Sequence, residues 1–314
     1  MLTQQADRLP AQETLLPIVL QSRWPGQPLS ILAWLKQTKP DLYYRMKKNL
    51  FCKDLLRYFM TGSVCTDPTD ASAAGLLNAQ TGQYDRALLH LYDLDDAWEK
   101  LPPIRGSAEG AGTVSEEFHK KTGLPAGIPV LGGLFDVNSC MLGAGAVDAS
   151  RFSMTAGTWG INAIPSAAPV RSESITQCCR FYGGLPYVCI DSAPTSCTNL
   201  EWFARRILQT DRFDQVSEAV RRTAVDETLL YLPYLYAPMD LPSASGGFVG
   251  LRAHHTRTDL TRAVFEGIVF EHRRRMEKLQ AIGLDAKAIV LSGGAANSTV
   301  FAKLFADICG KEVF

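Results

Sequence analysis

The residue whose type and setting best suit it to chemistry is an aspartate inside an apolar, glycine-rich run. Residues 128–145 read IPVLGGLFDVNSCMLGAG, and Asp136 is the one charged residue among them. Removing a carboxylate from water is costly unless a partner offsets the cost. Asp136 therefore needs an ion-pair partner, a helix N-terminus or a catalytic function, and the run itself leaves these three interpretations open.

Two glycine turns could hold an anion such as a phosphate. The first, Gly157-Thr158, lies between two segments that we predict to be strands, and the second, Gly293-Gly294, lies in LSGGAANS. Glycine lets backbone amides approach an anion closely, and a turn that opens a helix adds the positive end of the helix dipole. For either turn alone, an ordinary strand connection is the better explanation.

The other motifs do not favour a redox cofactor or a metal site. Gly143-Ala144-Gly145 resembles the first half of a dinucleotide fingerprint, but it lacks the third glycine and ends a predicted helix. His254 and His255 lie in a loop-like segment without a further ligand nearby, so we expect no metal there. The eight cysteines form no C-x-x-C pair, which favours reduced thiols in a cytoplasmic protein.

The elements that must position these residues alternate between helices and short apolar strands. We predict helices at 28–61 (two helices), 84–98, 115–121, 135–146, 260–279 and 299–309. We predict strands at 128–134, 152–156, 159–164 and 288–291, the first of them buried. The basic residues Arg273, Arg274 and Arg275 are expected to be solvated at the end of their helix. The chain is therefore predicted to be an α/β protein.

Composition and charge exclude several classes of partner. The 314 residues allow two domains, and 32 basic residues balance 32 acidic ones, so no net charge attracts nucleic acid or an anionic membrane. No apolar run approaches the roughly 20 residues that a membrane span needs. The first residues, MLTQQADRLPAQE, lack the features of a signal peptide. We therefore expect a cytoplasmic protein that binds a small molecule or another protein.

The order of motifs along the chain resembles the FGGY family of carbohydrate kinases. The motifs run from WLKQTKP and KDLLRYFMTGSVCTDPTDASAAGLL, through GGLFDVNSCMLGAG and MTAGTWG, to LSGGAANSTVFAKLFADICG. Their shared order is far more specific than any one of them. The resemblance implies the actin-like ATPase fold, which is ribonuclease H-like and has two α/β domains. The segments GGLFD, GTW and APTSCTNLEWF look closest to the branch that phosphorylates L-xylulose.

The resemblance also implies roles for the candidate residues. Asp136 takes the position of the general base that removes the proton of the sugar hydroxyl as it attacks the γ-phosphate of ATP, so it is the catalytic and the substrate-binding candidate. Its interpretation as a helix N-cap stays open. Mg²⁺ would be bound through the nucleotide, without a metal site of the protein itself, and the family leaves a homodimer as an option. The nucleotide-binding candidates are Gly157, Thr158, Gly293, Gly294 and Ser298, with Cys197 and Glu201 near another wall.

The resemblance further implies where the chain lies within such a kinase. Residues 1–148 are expected to be the later part of the N-terminal domain, and residues 149–314 the earlier part of the C-terminal domain. The first residues carry no D-x-G phosphate loop, so both domains are expected to be incomplete and the chain alone to be a poor catalyst. The leading hypothesis is an ATP-dependent kinase that phosphorylates a hydroxyl of a ketopentose such as L-xylulose. The alternative is a non-catalytic, truncated remnant that binds a ligand or partner without turnover.

Overall fold

A computed structural model of the protein describes residues 9–225 and 228–314. The chain forms two compact units. Unit 1 consists of the described residues up to Ser139 together with Ala167–Val188, and unit 2 consists of Cys140–Ser166 together with the described residues from Cys189 to Phe314. Both units contain helices and strands, so the predicted α/β class is confirmed.

The elements are short except for one long helix in unit 2. The described helices are α1 Gln12–Val19, α2 Pro28–Thr38, α3 Pro40–Arg45, α4 Cys52–Thr61, α5 Pro68–Ala73, α6 Arg86–His90, α7 Glu116–Thr122, α8 Asp136–Gly143, α9 Cys197–Trp202, α10 Phe213–Arg222, α11 Arg257–Ala281 and α12 Thr299–Cys309. The 3₁₀ turns are Asp95–Lys100 and Gly294–Asn297, and Phe203–Leu208 forms a π-helical turn. The described strands are β1 Gly110–Thr113, β2 Pro129–Leu131, β3 Arg151–Ala156, β4 Gly160–Ser166, β5 Gln177–Arg180, β6 Tyr187–Ala193, β7 Leu230–Leu232, β8 Gly247–Val249, β9 Ala288–Ser292 and β10 Glu312–Val313.

The core of unit 1 is formed by helices whose apolar faces meet. In α2, Leu29, Leu32 and Ala33 repeat at the spacing of one helix face, and all three are buried. They belong to a hydrophobic cluster that also includes residues of α1, α3 and α6. Pro40 begins α3, because proline suits the first turn of a helix. The segment 28–61 therefore forms three helices where the sequence predicts two.

Helix α4 reverses the usual arrangement of a surface helix. Its buried residues are Asp54 and Arg57, whereas Leu55, Leu56 and Phe59 are exposed. The side of α4 that faces the interior of unit 1 is therefore ionic. Charges buried in this way need partners close by, and those partners belong to the candidate site of this unit.

Two predicted elements of unit 1 are wrong. The helix expected over 84–98 is interrupted, because α6 ends at His90 and Asp93 adopts a left-handed φ of 56° before the 3₁₀ turn begins. The apolar run 128–134 forms only β2, which pairs antiparallel with β1 in a two-stranded ribbon and leaves Leu131 50% exposed. A continuous apolar run predicts a buried strand, but a ribbon of two short strands does not bury both faces.

Unit 2 is built on a mixed sheet in which β10, β9, β3, β4 and β6 lie side by side in that order. Strand β9 runs parallel to β10 and β3, whereas β4 runs antiparallel to β3. The register places Thr155 of β3 opposite Ser292 of β9. Because neighbouring parallel strands end at the same edge of a sheet, the two glycine turns that follow β3 and β9 lie next to one another. The predicted strands at 152–156, 159–164 and 288–291 are confirmed to within two residues.

Helix α11 packs on α12, and the rings of Phe265 and Phe301 stack with their centroids 4.4 Å apart. The prediction of a solvated basic end is wrong for Arg275, which is 2% exposed. Its guanidinium contacts Glu271 at 2.8 Å and Asp191 at 3.0 Å, and such pairing is what permits a buried charge. None of the described helices, α11 included, combines the length and the apolar composition that crossing a membrane requires.

Candidate functional site

A cavity of about 920 Å³ lies within unit 2, a size typical of small-molecule sites. The predicted residues Gly157 and Thr158 line it, directly after β3, and so do Gly294 and Ser298, after β9. Gly293 precedes the lining residues of the second turn. The structure thus brings together at one cavity the two turns that the sequence treats separately, because β3 and β9 are adjacent and parallel.

The two turns pack backbone against backbone at Gly293. This residue has a φ of 84° and a ψ of −170°, a backbone conformation that residues other than glycine essentially do not adopt. A Cβ atom there would lie 2.9 Å from the carbonyl oxygen of Ala156 and 3.3 Å from the amide nitrogen of Gly157. Just before the turns, the hydroxyls of Thr155 and Ser292 are 2.8 Å apart. Gly293 is therefore required by the close approach of the turns.

Ser298 begins the helix that follows the second turn. Its hydroxyl accepts a hydrogen bond from the amide of Phe301 at 3.4 Å, so it is the N-cap of α12. The same hydroxyl lies 3.4 Å from the hydroxyl of Ser217 on α10. Both serines line the cavity, together with Val300 and Phe301. The beginning of α12 thus presents a helix N-terminus and apolar surface to a ligand.

The beginning of α9 forms a third wall of the cavity. The amide of Cys197 donates to the carbonyl of Gly157 at 2.9 Å, and the Thr198 hydroxyl donates to the carbonyl of Thr158 at 3.2 Å. Burial raises the pKa of the Cys197 thiol to about 11, which keeps it protonated near neutral pH. Cys197 and Glu201 both line the cavity, so the structure brings them to the same cavity as the two glycine turns.

Helix α10 supplies cavity residues that the sequence reasoning missed. Asp214, Ser217, Glu218 and Arg221 line the cavity from this helix. Their spacing of i, i+3, i+4 and i+7 places them on one face, while Val216 and Val220 are buried on another. This periodic polar face could have indicated the cavity residues of α10 in the sequence. A polar helix face is, however, more often solvated than part of a binding site.

Asp136 lies in unit 1 as the first residue of α8. Its side chain is exposed, and Oδ1 accepts a hydrogen bond from the amide of Val137 at 2.7 Å. Of the three interpretations that the sequence leaves open, the position at a helix N-terminus is the one observed, while the catalytic function stays a prediction. The apolar neighbours do not enclose Asp136, because the chain turns into α8 at this residue. A carboxylate at this position is accessible to a ligand and suits the positive end of the helix dipole.

The loop before Asp136 is fixed by its neighbours in unit 1. A Cβ atom at Gly132 would lie 2.3 Å from the carbonyl oxygen of Gly106, so the backbones approach more closely than a side chain allows. Arg57 donates to the carbonyl of Gly132, and the Thr69 hydroxyl accepts from the amide of Phe135 at 2.8 Å. Asp136 therefore follows a loop with a defined backbone course.

A buried ionic cluster supports that loop. Lys53 Nζ lies 2.5 Å from Asp54, 2.7 Å from Asp67 and 3.1 Å from Asp70. Arg57 Nη2 contacts Asp54 at 2.9 Å. Burial raises the pKa of Asp70 to about 6, against the lowering effect of Lys53. These residues lie in the segment KDLLRYFMTGSVCTDPTDASAAGLL, which resembles the family, but the sequence did not predict that they form a cluster. The local signal for the cluster is the charged side of α4.

A buried histidine connects α11 to the cavity wall. His272 is 1% exposed, and its Nδ1 lies 2.8 Å from Asn162 Oδ1 on β4 and its Nε2 3.0 Å from the Ser196 hydroxyl. The Asn162 amide nitrogen donates to the carbonyl of Asp191, so Oδ1 is the acceptor that faces the ring. The ring therefore carries its proton on Nδ1, and Ser196 donates to Nε2.

The free energy of unfolding is expected to fall as the pH drops from 6.5 to 4, in part because of His272. Burial lowers its pKa from 6.5 to about 4, so the unfolded chain binds more protons between these values. The stability that neutral His272 contributes is present above pH 6.5 and is lost on acidification, up to about 3 kcal/mol. Urea unfolding across this range should show a shallower pH dependence for His272→Gln than for the natural chain. Equal slopes would contradict this assignment.

Known carbohydrate kinases are similar to this chain in sequence and in fold. Two models of the FGGY family of carbohydrate kinases match, the N-terminal domain over residues 3–143 and the C-terminal domain over residues 153–314. The chain is 32% identical over 301 residues, 95% of its length, to a probable L-xylulose kinase of Haemophilus influenzae. It is 32% identical over 311 residues, 98% of its length, to the L-xylulose/3-keto-L-gulonate kinase of Escherichia coli.

The fold is similar to that of Plasmodium falciparum glycerol kinase with ADP, with a TM-score of 0.87 and 20% sequence identity. That match covers 99% of this chain and 64% of the glycerol kinase. The predicted actin-like fold of a two-domain carbohydrate kinase is thereby confirmed. The chain spans 61% and 62% of the length of the two bacterial relatives.

Proposed function

Because the chain belongs to the FGGY family of carbohydrate kinases, we propose that it transfers the γ-phosphate of ATP to a hydroxyl of a ketopentose such as L-xylulose. The observation that carries this proposal is the cavity of unit 2, where the turns after β3 and β9 and the beginning of α12 meet. The names of the two bacterial relatives support L-xylulose as the sugar. The partners are thus ATP and the sugar, and a homodimer stays a prediction of the family resemblance.

In this proposal the cavity holds the nucleotide. The apolar wall, which includes Phe213, Val300 and Phe301, suits a purine ring, and the glycine turns suit the phosphates. The binding of ADP by the glycerol kinase of similar fold supports the assignment. The proposed nucleotide-binding residues are Gly157, Thr158, Gly293, Gly294 and Ser298.

Mg²⁺ is proposed to arrive with the nucleotide. Within residues 9–225 and 228–314, no group of three or more His, Cys, Asp or Glu side chains is arranged to hold a metal ion. The ion would be bound mainly by the phosphate oxygens of the nucleotide, with protein carboxylates in a secondary role. When bound, such an ion would neutralise charge on the transferred phosphoryl group.

Asp136 is proposed to be the general base. Phosphoryl transfer demands little covalent chemistry from the protein beyond positioning the nucleophile and stabilising charge. The exposed carboxylate at the start of α8 is accessible to a sugar hydroxyl, and the fixed loop before it limits its positions. The proton of the attacking hydroxyl would pass to Asp136 as the bond to the phosphorus forms. We further propose residues 1–148 and 149–314 as the parts of the two family domains.

A preference for L-xylulose is expected when ADP release is measured with several sugars. L-xylulose, D-xylulose, ribulose and glycerol would be compared in a coupled assay, and kcat/KM should be at least about tenfold higher for L-xylulose, the discrimination that a few pocket contacts supply. A preference for glycerol or an aldose would contradict the ketopentose assignment but not the kinase class. Nucleotide binding without ADP release for any sugar would favour the non-catalytic alternative.

A further inference from the structure

His272 contacts the strand that leaves the turn containing Gly157 and Thr158, and it also contacts Ser196, the residue before α9. On the strand that leaves the turn, a Cβ atom at Gly160 would lie 3.3 Å from the imidazole, so glycine permits the ring to pack there. Two residues farther along β4, Oδ1 of Asn162 lies 2.8 Å from Nδ1 of the ring. On the opposite side, the Ser196 hydroxyl donates to Nε2 at 3.0 Å. The ring thus lies between the strand after the turn and the loop before α9.

The beginning of α9, which directly follows Ser196, holds the turn by its carbonyl groups. Cys197, the next residue, donates its amide to the carbonyl of Gly157, and Thr198 donates its hydroxyl to the carbonyl of Thr158. Because a peptide group is planar and trans, a fixed carbonyl also fixes the amide N–H of the next residue in the opposite direction. The direction in which the Thr158 amide points therefore depends on the position of Cys197 at the beginning of α9.

We propose that His272 is a positioning residue for nucleotide phosphates, acting through Ser196 and the first two residues of α9, Cys197 and Thr198, on the turn Gly157-Thr158. This inference rests on the proposed function, in which that turn contacts the phosphates. A fixed donor is worth more to an anion than a mobile one, because no free energy is spent on orienting it when the ligand binds. His272 itself is buried and touches no ligand.

The alternative is that the buried histidine only stabilises unit 2. The two interpretations differ in how they treat a ligand with phosphates and one without. A loss of stability alone would affect ADP and adenosine in the same way, since both would use the same apolar wall. A loss of phosphate positioning would weaken ADP and leave adenosine unchanged, because adenosine makes no use of the turn.

The experiment measures the Kd values of ADP and adenosine for the 314-residue chain by calorimetry. Ser196→Ala removes the hydroxyl that donates to His272, and His272→Leu removes both ring nitrogens. Both variants are expected to weaken ADP about tenfold while the Kd of adenosine changes less than twofold. His272→Gln retains an acceptor for Ser196 and should lose less ADP affinity than His272→Leu. A tenfold change corresponds to about 1.4 kcal/mol.

Thr261→Val is the matched control. Thr261 is also buried on α11, and its hydroxyl bonds to the carbonyl of Arg257 within the same helix. This variant should bind ADP and adenosine as the natural chain does. Adenosine binding reports whether each variant retains a folded cavity, and His272→Gln provides the comparison should Ser196→Ala fail to fold.

Two results would overturn the inference alone. They are an equal loss of ADP and adenosine affinity in Ser196→Ala and His272→Leu, and no loss of ADP affinity in either of these two variants. If the natural chain bound neither ligand, or bound ADP no more tightly than adenosine, the proposed phosphate site itself would be wrong, and the inference would fall with it.

Discussion

Replacing Asp136 by asparagine is expected to lower the turnover of sugar by about 10²–10⁴-fold, which is the usual contribution of a positioned general base. Asparagine has nearly the shape of aspartate and can still accept the hydrogen bond from the Val137 amide, but it cannot take up the proton of the sugar hydroxyl. The sugar should therefore bind with a largely unchanged Kd while kcat falls. The measurement is sugar-dependent ADP release together with the Kd of the sugar.

Asp148→Asn is the control for this experiment. Asp148 is also exposed, and it accepts a hydrogen bond from the Ser150 amide at 2.8 Å, much as Asp136 accepts one from Val137. Its replacement should leave turnover near the natural value. Both variants would be made in the 314-residue chain and in a chain extended to the length of its relatives, so that a low starting rate does not hide the loss. Near-normal turnover of Asp136→Asn would exclude Asp136 as the base.

Replacing Gly293 by alanine is expected to destabilise unit 2 by about 2–4 kcal/mol and to weaken ADP binding more than tenfold. The conformation of Gly293 alone costs about 1–3 kcal/mol for another residue. The added Cβ atom would also lie 2.9 Å from the carbonyl oxygen of Ala156, a backbone atom that can move only if the turn moves. The two turns would therefore separate, and the amides at the cavity would lose their arrangement.

The neighbouring glycine is the control for stability. A Cβ atom at Gly294 would meet no atom within 4 Å, so Gly294→Ala should change the free energy of unfolding by less than about 1 kcal/mol. Chemical unfolding of both variants and ADP titration of Gly293→Ala are the measurements. If Gly293→Ala unfolded at the same denaturant concentration as the natural chain, the close packing of the two turns would be refuted.

The cavity of unit 2 shows what the sequence could and could not predict. The turns at Gly157 and Gly293 were predictable, because each combines an apolar strand with glycine and their order matches a family. Their closeness follows from the parallel pairing of β3 and β9, which the local pattern of either segment does not indicate. The contribution of α10 was not predictable in the same way. Its polar face resembles a solvated one, and only the packing of unit 2 makes it a cavity wall.

The buried charges were missed for a related reason. A single sequence indicates which residues are charged, but a charge is buried only when its partners are near in space. Arg57 binds the carbonyl of Gly132, 75 residues away, and Arg275 binds Asp191, 84 residues away. Helical periodicity carries no information about such distant pairs. Asp136 is exposed although its neighbours in sequence are apolar, because α8 begins at this residue.

The alignment of β3 with β9 restricts how the length of this sequence can vary during evolution. Thr155 and Ser292 lie opposite one another, and the glycine turns begin within two residues of them. Side chains alternate between the two faces of a strand, so the loss or gain of one residue in either strand would move every later side chain to the wrong face. It would also shift one turn by about 3.3 Å relative to the other. Substitutions within these strands can be neutral one at a time, whereas insertions and deletions there would separate the two halves of the cavity wall in a single step.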